Sequence, residues 1–260
     1  MKDYFRNRKT IRKYSDKAVD MELIYQLLED AMRAPTTGNM QLYSVVVTED
    51  KELRAKLAPT HFNQPCSVNA PVLITFCADF NRFNKWCELR GAEPGYDNFQ
   101  SFVTALLDAT ILTQQFNTIA ELNGLACCYL GTTTYNADKI GDVLELPQNV
   151  IPVTTLAVGY PIEDENSAPV ERLDAKHLIH KDKYTDYTDQ DINDIYTEKE
   201  SLAVNQAYVK ENNKESLAAV FTDIRYTRAN NEHFSKVLYN YIEKQGFAFP
   251  QRYGIDSDLY

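Results

Sequence analysis

The chain has 260 residues, with 44% hydrophobic and 25% charged side chains and a formal net charge of -10 at pH 7. That composition is ordinary for a soluble globular protein with one large core or two small ones, and the acidic balance argues against nucleic acid as a main partner, because binding to phosphate backbones is mostly electrostatic. No apolar run is long enough to span a bilayer, and the polar, basic N-terminus lacks the apolar stretch of a secretory signal, so the expected compartment is the cytoplasm.

The first segment to stand out is Arg6-Asn7-Arg8-Lys9-Thr10-Ile11-Arg12-Lys13, which places five cationic side chains within eight residues of an acidic chain. Arg8 and Arg12 share a face at i, i+4 on a helix or at an even spacing on a strand; Thr10 joins them only if the segment is extended. Two guanidinium forks and a hydroxyl are suitable donors for a phosphate group, although as charge alone the segment reads as a solvated basic turn. Asp20 is placed to cap a helix over 21–33 with an apolar stripe of Leu23, Leu27, Leu28 and Ala31, closed by Pro35. A polar loop follows, Thr36-Thr37-Gly38-Asn39-Met40-Gln41, leading into a β-rich run at 43–47. Its hydroxyls and carboxamides suit the edge of a planar heterocycle; alone, it reads as a turn with local hydrogen bonds. Gln64 offers another carboxamide in a second loop.

A short helix is expected over 50–57, and the continuous apolar run 71–77 predicts a strand buried on both faces. The longest helical pattern covers 97–122, with Phe102, Leu106, Ala109, Leu112 and Phe116 on its apolar side and Gly124 placed to end it. A second buried strand, 125–130, runs into Gly131-Thr132-Thr133, where the glycine would let backbone approach a flat ligand. Asn136 is placed to cap a helix to 144, and a further strand is expected over 153–158. From 162 to 183 the chain is charged and poor in apolar residues, and from 189 onward it is helical and highly charged. Short strands alternate with helices without a regular βαβ rhythm, which favours α+β.

Hydrolase, metal and nucleotide signatures are absent. There is no GxGxxG, no GxxxxGK[ST] and no GxSxG. His61, His177, His180 and His233 lack metal-ligand spacing, and the five cysteines Cys66, Cys77, Cys87, Cys127 and Cys128 form no CxxC pair, so no metal is expected. Cys77 and the Cys127-Cys128 pair read as core filler, with a redox role for that pair as the other reading.

Taken in order, these pieces resemble the nitroreductase family of flavoproteins. Arg8-Lys9-Thr10-Ile11-Arg12 resembles its R-x-[ST]-x-R phosphate signature, and Arg33-Ala34-Pro35-Thr36-Thr37-Gly38-Asn39-Met40-Gln41 resembles its second flavin-contacting loop. Phe76-Cys77-Ala78-Asp79-Phe80-Asn81-Arg82, Tyr129-Leu130-Gly131, Leu146-Pro147-Gln148, Gly159-Tyr160-Pro161 and Arg172-Leu173 are similar to runs in its oxygen-insensitive NADPH nitroreductase and flavin reductase (group A) branch. The resemblance covers nearly the whole chain. It implies a nitroreductase-like α+β fold over 1–260, with a central, mostly antiparallel sheet flanked by helices. It also implies a homodimer, with a helical C-terminal extension over 184–260 docking on the second subunit.

The same resemblance implies FMN as cofactor and NADPH or NADH as electron donor. Small-molecule acceptors of the nitroaromatic, quinone or flavin type would be reduced by ping-pong hydride transfer, with no catalytic side chain because the chemistry belongs to the flavin. Arg8, Lys9, Thr10 and Arg12 would hold the FMN phosphate and ribityl chain. Thr36, Thr37, Asn39 and Gln41 would contact the flavin, some of them from the second subunit, and Gln64 would reach its ring or ribityl region. Tyr129, Leu130, Gly131 and Thr132 would line the ring, with Arg172 near its pyrimidine end. Lys210 and Lys214 fall where the branch places basic residues for the NADPH 2′-phosphate. Three departures stand out: Arg-Lys-Thr opens the phosphate motif, Thr132 replaces a second glycine and could narrow access over the ring, and Val170 replaces a lysine expected near the flavin. A flavin-binding storage or sensing protein with little turnover is the alternative, and a nucleotide- or RNA-binding module using the basic segment is a second one.

Overall fold

The computed structural model describes residues 2–162 and 169–248. The chain divides into two compact units: Met1–Lys9 with Ala168–His233, and Thr10–Ser167 with Phe234–Tyr260.

The second of these is built on a four-stranded sheet, β1 (Tyr43–Thr48), β2 (Val72–Asp79), β3 (Ala126–Leu130) and β4 (Val150–Gly159), in the order β1-β2-β4-β3. Every pairing is antiparallel. Successive side chains on a strand point to opposite faces, and here both faces are covered. Ile74, Phe76, Leu156 and Cys127 join one cluster with Ile24, Leu112 and Phe116, while Leu73, Ala157 and Cys128 join the other with Leu57 and Ile140. This is why β2 is buried at every position and reads as an unbroken apolar run. Each fully buried side chain of the Phe76, Phe116 or Leu112 type contributes roughly 1.5–3 kcal/mol.

The sheet unit also holds α2 (Met21–Ala31), α3 (Lys51–Leu57), α4 (Pro65–Val68), α5 (Asn81–Leu89), α6 (Phe99–Leu122) and α7 (Ala137–Val143); α1 (Lys2–Asn7) lies in the other unit. The cap expected at Asp20 forms, accepting from the Glu22 backbone N–H, and Asp50 caps α3 in the same way through the Leu53 N–H. The 24-residue α6 packs on all four strands and on α2, with Asn98 accepting from the Ser101 N–H at its start. Three expectations shift. Asn136 precedes α7, but its side chain donates to the Thr60 carbonyl (2.8 Å) instead of capping. β4 begins at Val150 and includes Pro152; the register steps over one β4 residue opposite Phe76/Cys77, which accommodates a residue without an N–H. Helix α5 was not foreseen, since it has no side-chain cap and buries no residue.

The other unit contains α8 (Asp189–Ser201), α9 (Ala203–Glu211) and α10 (Leu217–Val220). The first begins at a capping box between Thr188 and Asp191, and the apolar interior holds Ile195, Leu217 and Val220. The last helix, α11 (Arg228–Lys244), gives its residues from Phe234 onward to the sheet unit. There Tyr241 is buried, Gln245 O accepts from Asn149 N–H (2.9 Å), and Ala248 O accepts from Phe99 N–H (2.9 Å). The compact units therefore divide at 168 and 233, and the described residues 234–248 pack on their own sheet.

Candidate functional site

Helix α1 ends at Asn7, and residues 8–13 take no regular secondary structure. The shared face of Arg8 and Arg12 is therefore not set by a helix or strand. Immediately after, the chain is pinned to the sheet. Tyr14 bridges Pro161 and its buried hydroxyl donates to the Ala157 carbonyl (2.9 Å), while Ser15 N–H donates to Tyr160 O (2.9 Å). Burial holds the Tyr14 phenol well above its ordinary range, so it stays a neutral donor. The fit at this pin is close: a Cβ on Gly159 would come within 2.8 Å of Pro71 and 2.9 Å of Tyr14.

The pin leaves Arg12 exposed, with its charge within electrostatic reach of Cys66 and Cys128. Cys66 lies two residues after Gln64, whose Oε1 is 3.8 Å from the Cys66 sulfur. Cys128 is the penultimate residue but one of β3, whose end runs into Gly131. The structure thus gathers Arg12, Gln64 and the β3 end into one region. The Cys66 and Cys128 thiols interact, and this interaction, with help from Arg12, brings Cys66 down to about 6, while the same interaction and burial push Cys128 up, whose sulfur lies 3.6 Å from the Tyr129 carbonyl. Cys127 faces the opposite cluster, so the adjacent pair Cys127-Cys128 is split across the sheet.

Gly131 is exposed, and a Cβ there would meet nothing within 4 Å, so the backbone at the end of β3 is open to a flat ligand. Thr132 does not close this surface. Its side chain is buried and its hydroxyl lies 2.9 Å from Nδ1 of His61. His61 is itself fully buried, and desolvation pulls its pKa down to about 4, so the ring is neutral at pH 7. The departure at Thr132 is absorbed inward, by a histidine that sequence spacing did not single out.

The second region is the loop before β1. Gly38, Asn39 and Gln41 all have positive φ (54°, 56° and 50°), a conformation that costs non-glycine residues and persists only when the surroundings enforce it. Two side chains do so. Asp108 of α6, buried, accepts from Thr36 Oγ1 (2.5 Å), Thr37 Oγ1 (2.9 Å), Thr37 N (2.9 Å) and Leu42 N (3.3 Å). Arg82 of α5 donates to the carbonyls of Gln41 and Met40. Gln41 also donates to the Asn39 carbonyl and side-chain oxygens (2.6 and 2.7 Å). Asp108 was missed in the sequence, where the signal was a carboxylate set inside the apolar stripe of a long helix, between Ala105, Ala109 and Leu112. The loop borders a depression of about 840 Å³ that also holds Arg33, Tyr43 and Arg82.

These two regions lie on opposite edges of the sheet, because β1 and β3 are its outermost strands. Three strand spacings separate those edges by about 14 Å. Thr10 belongs to the sheet unit, and Arg172, Lys210 and Lys214 fall in the other one. Arg172 is exposed and donates to the carbonyls of Val170 (3.0 Å) and Glu171 (3.1 Å) in its own loop. Lys210 and Lys214 line one shallow depression with Gln206 and Ser216, and Lys214 is paired with Asp223 at 2.9 Å. Arg8 and Lys9 also belong to that unit.

A model of the nitroreductase family matches residues 5–160, a span that includes all four strands, the basic segment and the clamped loop. The chain belongs to the nitroreductase family. Within its relatives it is 31% identical over 185 residues to the FMN reductase (NADPH) of Bacillus subtilis, covering 70% of this chain and 74% of that protein. The crystal structure of an oxidoreductase from Bacteroides fragilis superimposes with a TM-score of 0.92 at 51% identity, covering 94% of this chain and 99% of that one. The NfrA1 nitroreductase of B. subtilis gives 0.81 at 26% identity over 94% and 98%. The family's fold is the α+β arrangement described above.

Proposed function

We propose that this chain is an FMN-dependent NAD(P)H oxidoreductase working as a homodimer. The observation that carries this reading is the pairing of two incomplete half-sites on opposite sheet edges: an open β3 end beside Arg12 and Gln64, and a rigid loop of hydroxyls and carboxamides before β1. The donor set fits the group. Arg12, with Arg8, Lys9 and Thr10 contiguous to it in sequence, supplies charge for a phosphate; the exposed Gly131 lets a planar ring lie on backbone; Gln64 supplies a carboxamide for the ring or ribityl chain.

Bound FMN would supply the redox chemistry, taking a hydride from a nicotinamide and passing it, in a second half-reaction, to a nitroaromatic, quinone or flavin. The chain's own work is binding and positioning. Arg12 anchors one end, and the neutral His61 fixes the turn after β3 by holding Thr132 inward. Thr36, Thr37, Asn39 and Gln41 complete the site across the interface, from a second copy of the chain. Support for that interface comes from α6, which covers the sheet with one side yet leaves Leu107 (56%), Ile111 (42%) and Leu122 (54%) exposed on the other. Helices of the 168–233 unit would dock on the second copy, with Arg172 near the ring and Lys210 and Lys214 taking the nicotinamide nucleotide's phosphate. The names of the relatives support the choice of FMN and of a nicotinamide donor.

The test is the visible spectrum and turnover of the purified protein. A yellow protein, or one that binds added FMN, and that oxidises NADPH or NADH with a quinone or nitroarene is expected. A protein that holds FMN without turnover would favour a storage or sensing role, and one that takes up no FMN would overturn the reading.

A further inference from the structure

The loop that carries Thr36 and Thr37 is wired from behind by one buried carboxylate, and the wiring decides which way the hydroxyl hydrogens point. Asp108 meets two backbone N–H groups and two threonine hydroxyls with its two oxygens. A carboxylate receives all four as an acceptor. Both Thr36 and Thr37 therefore give their only hydroxyl hydrogen to Asp108. The Thr36 oxygen spends a lone pair on Gln41 N–H (3.0 Å). Thr37, which is exposed, accepts no hydrogen bond from the described residues through its hydroxyl, and with its hydrogen given to Asp108 it has none left to donate.

We infer that Asp108 is a positioning residue that commits Thr37 to be a hydrogen-bond acceptor toward the cofactor. This rests on the reading that the loop contacts flavin, and it narrows that contact to a ligand N–H or O–H. A phosphate or carbonyl oxygen, itself an acceptor, has nothing to accept from Thr37. The groups of FMN with the right polarity are the imide N–H of the pyrimidine ring and the ribityl hydroxyls. Arg82 sets the loop's far end through backbone carbonyls alone and leaves the threonine hydroxyls untouched, so the polarity assignment belongs to Asp108.

The experiment is FMN titration, by quenching of flavin fluorescence, of the full-length wild type, Asp108→Asn, Thr37→Val, Thr37→Ser and the Asp108→Asn/Thr37→Val double variant, with the thermal midpoint of each apo-protein as a fold control. Expected are tenfold or greater rises in Kd for Asp108→Asn and for Thr37→Val, near wild-type affinity for Thr37→Ser, and a double variant no weaker than the worse single one. A second titration with N3-methyl FMN separates the two donors. If the imide is the partner, Thr37→Val loses nothing further with the methylated ligand; if a ribityl hydroxyl is, the loss is the same with both. Wild-type affinity in folded Asp108→Asn, or losses that simply multiply in the double variant, would overturn the inference while leaving the FMN reading intact. If Asp108→Asn fails to fold, an undiminished affinity in Thr37→Val overturns it. Failure of the wild type to bind FMN would overturn both.

Discussion

At the scale of single residues, the site depends on groups whose burial fixes their chemistry. His61 is the clearest case. Its folded pKa of about 4 lies below the unfolded value of 6.5, so the unfolded chain binds a proton that the folded one excludes. The sign follows: above pH 6.5 His61 costs no stability, stability falls as pH drops from 6.5 to 4, and it levels below 4. At 1.36 kcal/mol per unit the full loss is about 3 kcal/mol. Urea unfolding of wild type and His61→Gln at pH 7 and pH 4.5 checks this; the gap between the two proteins should shrink at the lower pH, and a pH-independent gap would count against it. Arg12 makes the complementary prediction. It is exposed, and among the described residues its charge acts on Tyr14, Cys66 and Cys128, so Arg12→Ala should keep its thermal midpoint while losing FMN affinity by about one to two orders of magnitude, the range for a charged hydrogen bond. Unchanged affinity would refute the phosphate role. Of these residues only Arg12 was legible in the sequence, because charge clustering shows in a string of letters whereas His61 and Asp108 act through contacts 71 or 72 residues away.

At the scale of elements, α7 and α11 meet at one point where no side chain can be added. A Cβ on Gly141 would lie 1.8 Å from the Tyr241 hydroxyl and 2.7 Å from its ring carbon. Tyr241 is buried and accepts from Gln245 Nε2 (2.7 Å), and desolvation raises its pKa to about 12, so it cannot swing out without exposing a satisfied hydroxyl. Gly141→Ala should lower stability by about 1–3 kcal/mol through overpacking, with Tyr241→Phe in that background recovering part of it; differential scanning calorimetry would show the order. The helix starts predicted near Asp20, Asp50 and Asp97 hold because the caps that form there, at Asp20, Asp50 and Asn98, are local interactions. Where a non-local contact competes, the prediction shifts. Asn136 gives its amide to Thr60 O, and β4 extends through Pro152 because the sheet register makes room for it.

At the scale of the whole molecule, the proposed pairing of half-sites would make cofactor binding and assembly one event. If each site needs the β3 end of one chain and the β1 loop of another, then breaking the α6 face should remove both. Ile111→Glu is expected to yield a monomer that retains its secondary structure and loses FMN, read by sedimentation and flavin absorbance together. A monomer with wild-type FMN affinity would mean that one chain builds the whole site. Ile111 is exposed, so the substitution leaves the core untouched.

By itself, the sequence determined the features that depend on neighbours along the chain: the apolar run of β2, the stripe of α6, the concentration of charge at residues 6–13, and the family pattern that ties them to a flavin fold. What only the tertiary structure decided was which of these meet. Strand order put the β1 loop and the β3 end on opposite edges, side-chain alternation split Cys127 from Cys128 and set Cys128 against Cys66, and long-range hydrogen bonds turned Thr132 inward to His61 and tied Thr36 and Thr37 to Asp108. The physical reason is the same in each case. Propensity, capping and hydrophobic period act over a few residues, whereas the polarity and reach of a site are set by partners far apart in sequence that only packing of the sheet and its helices brings within bonding distance.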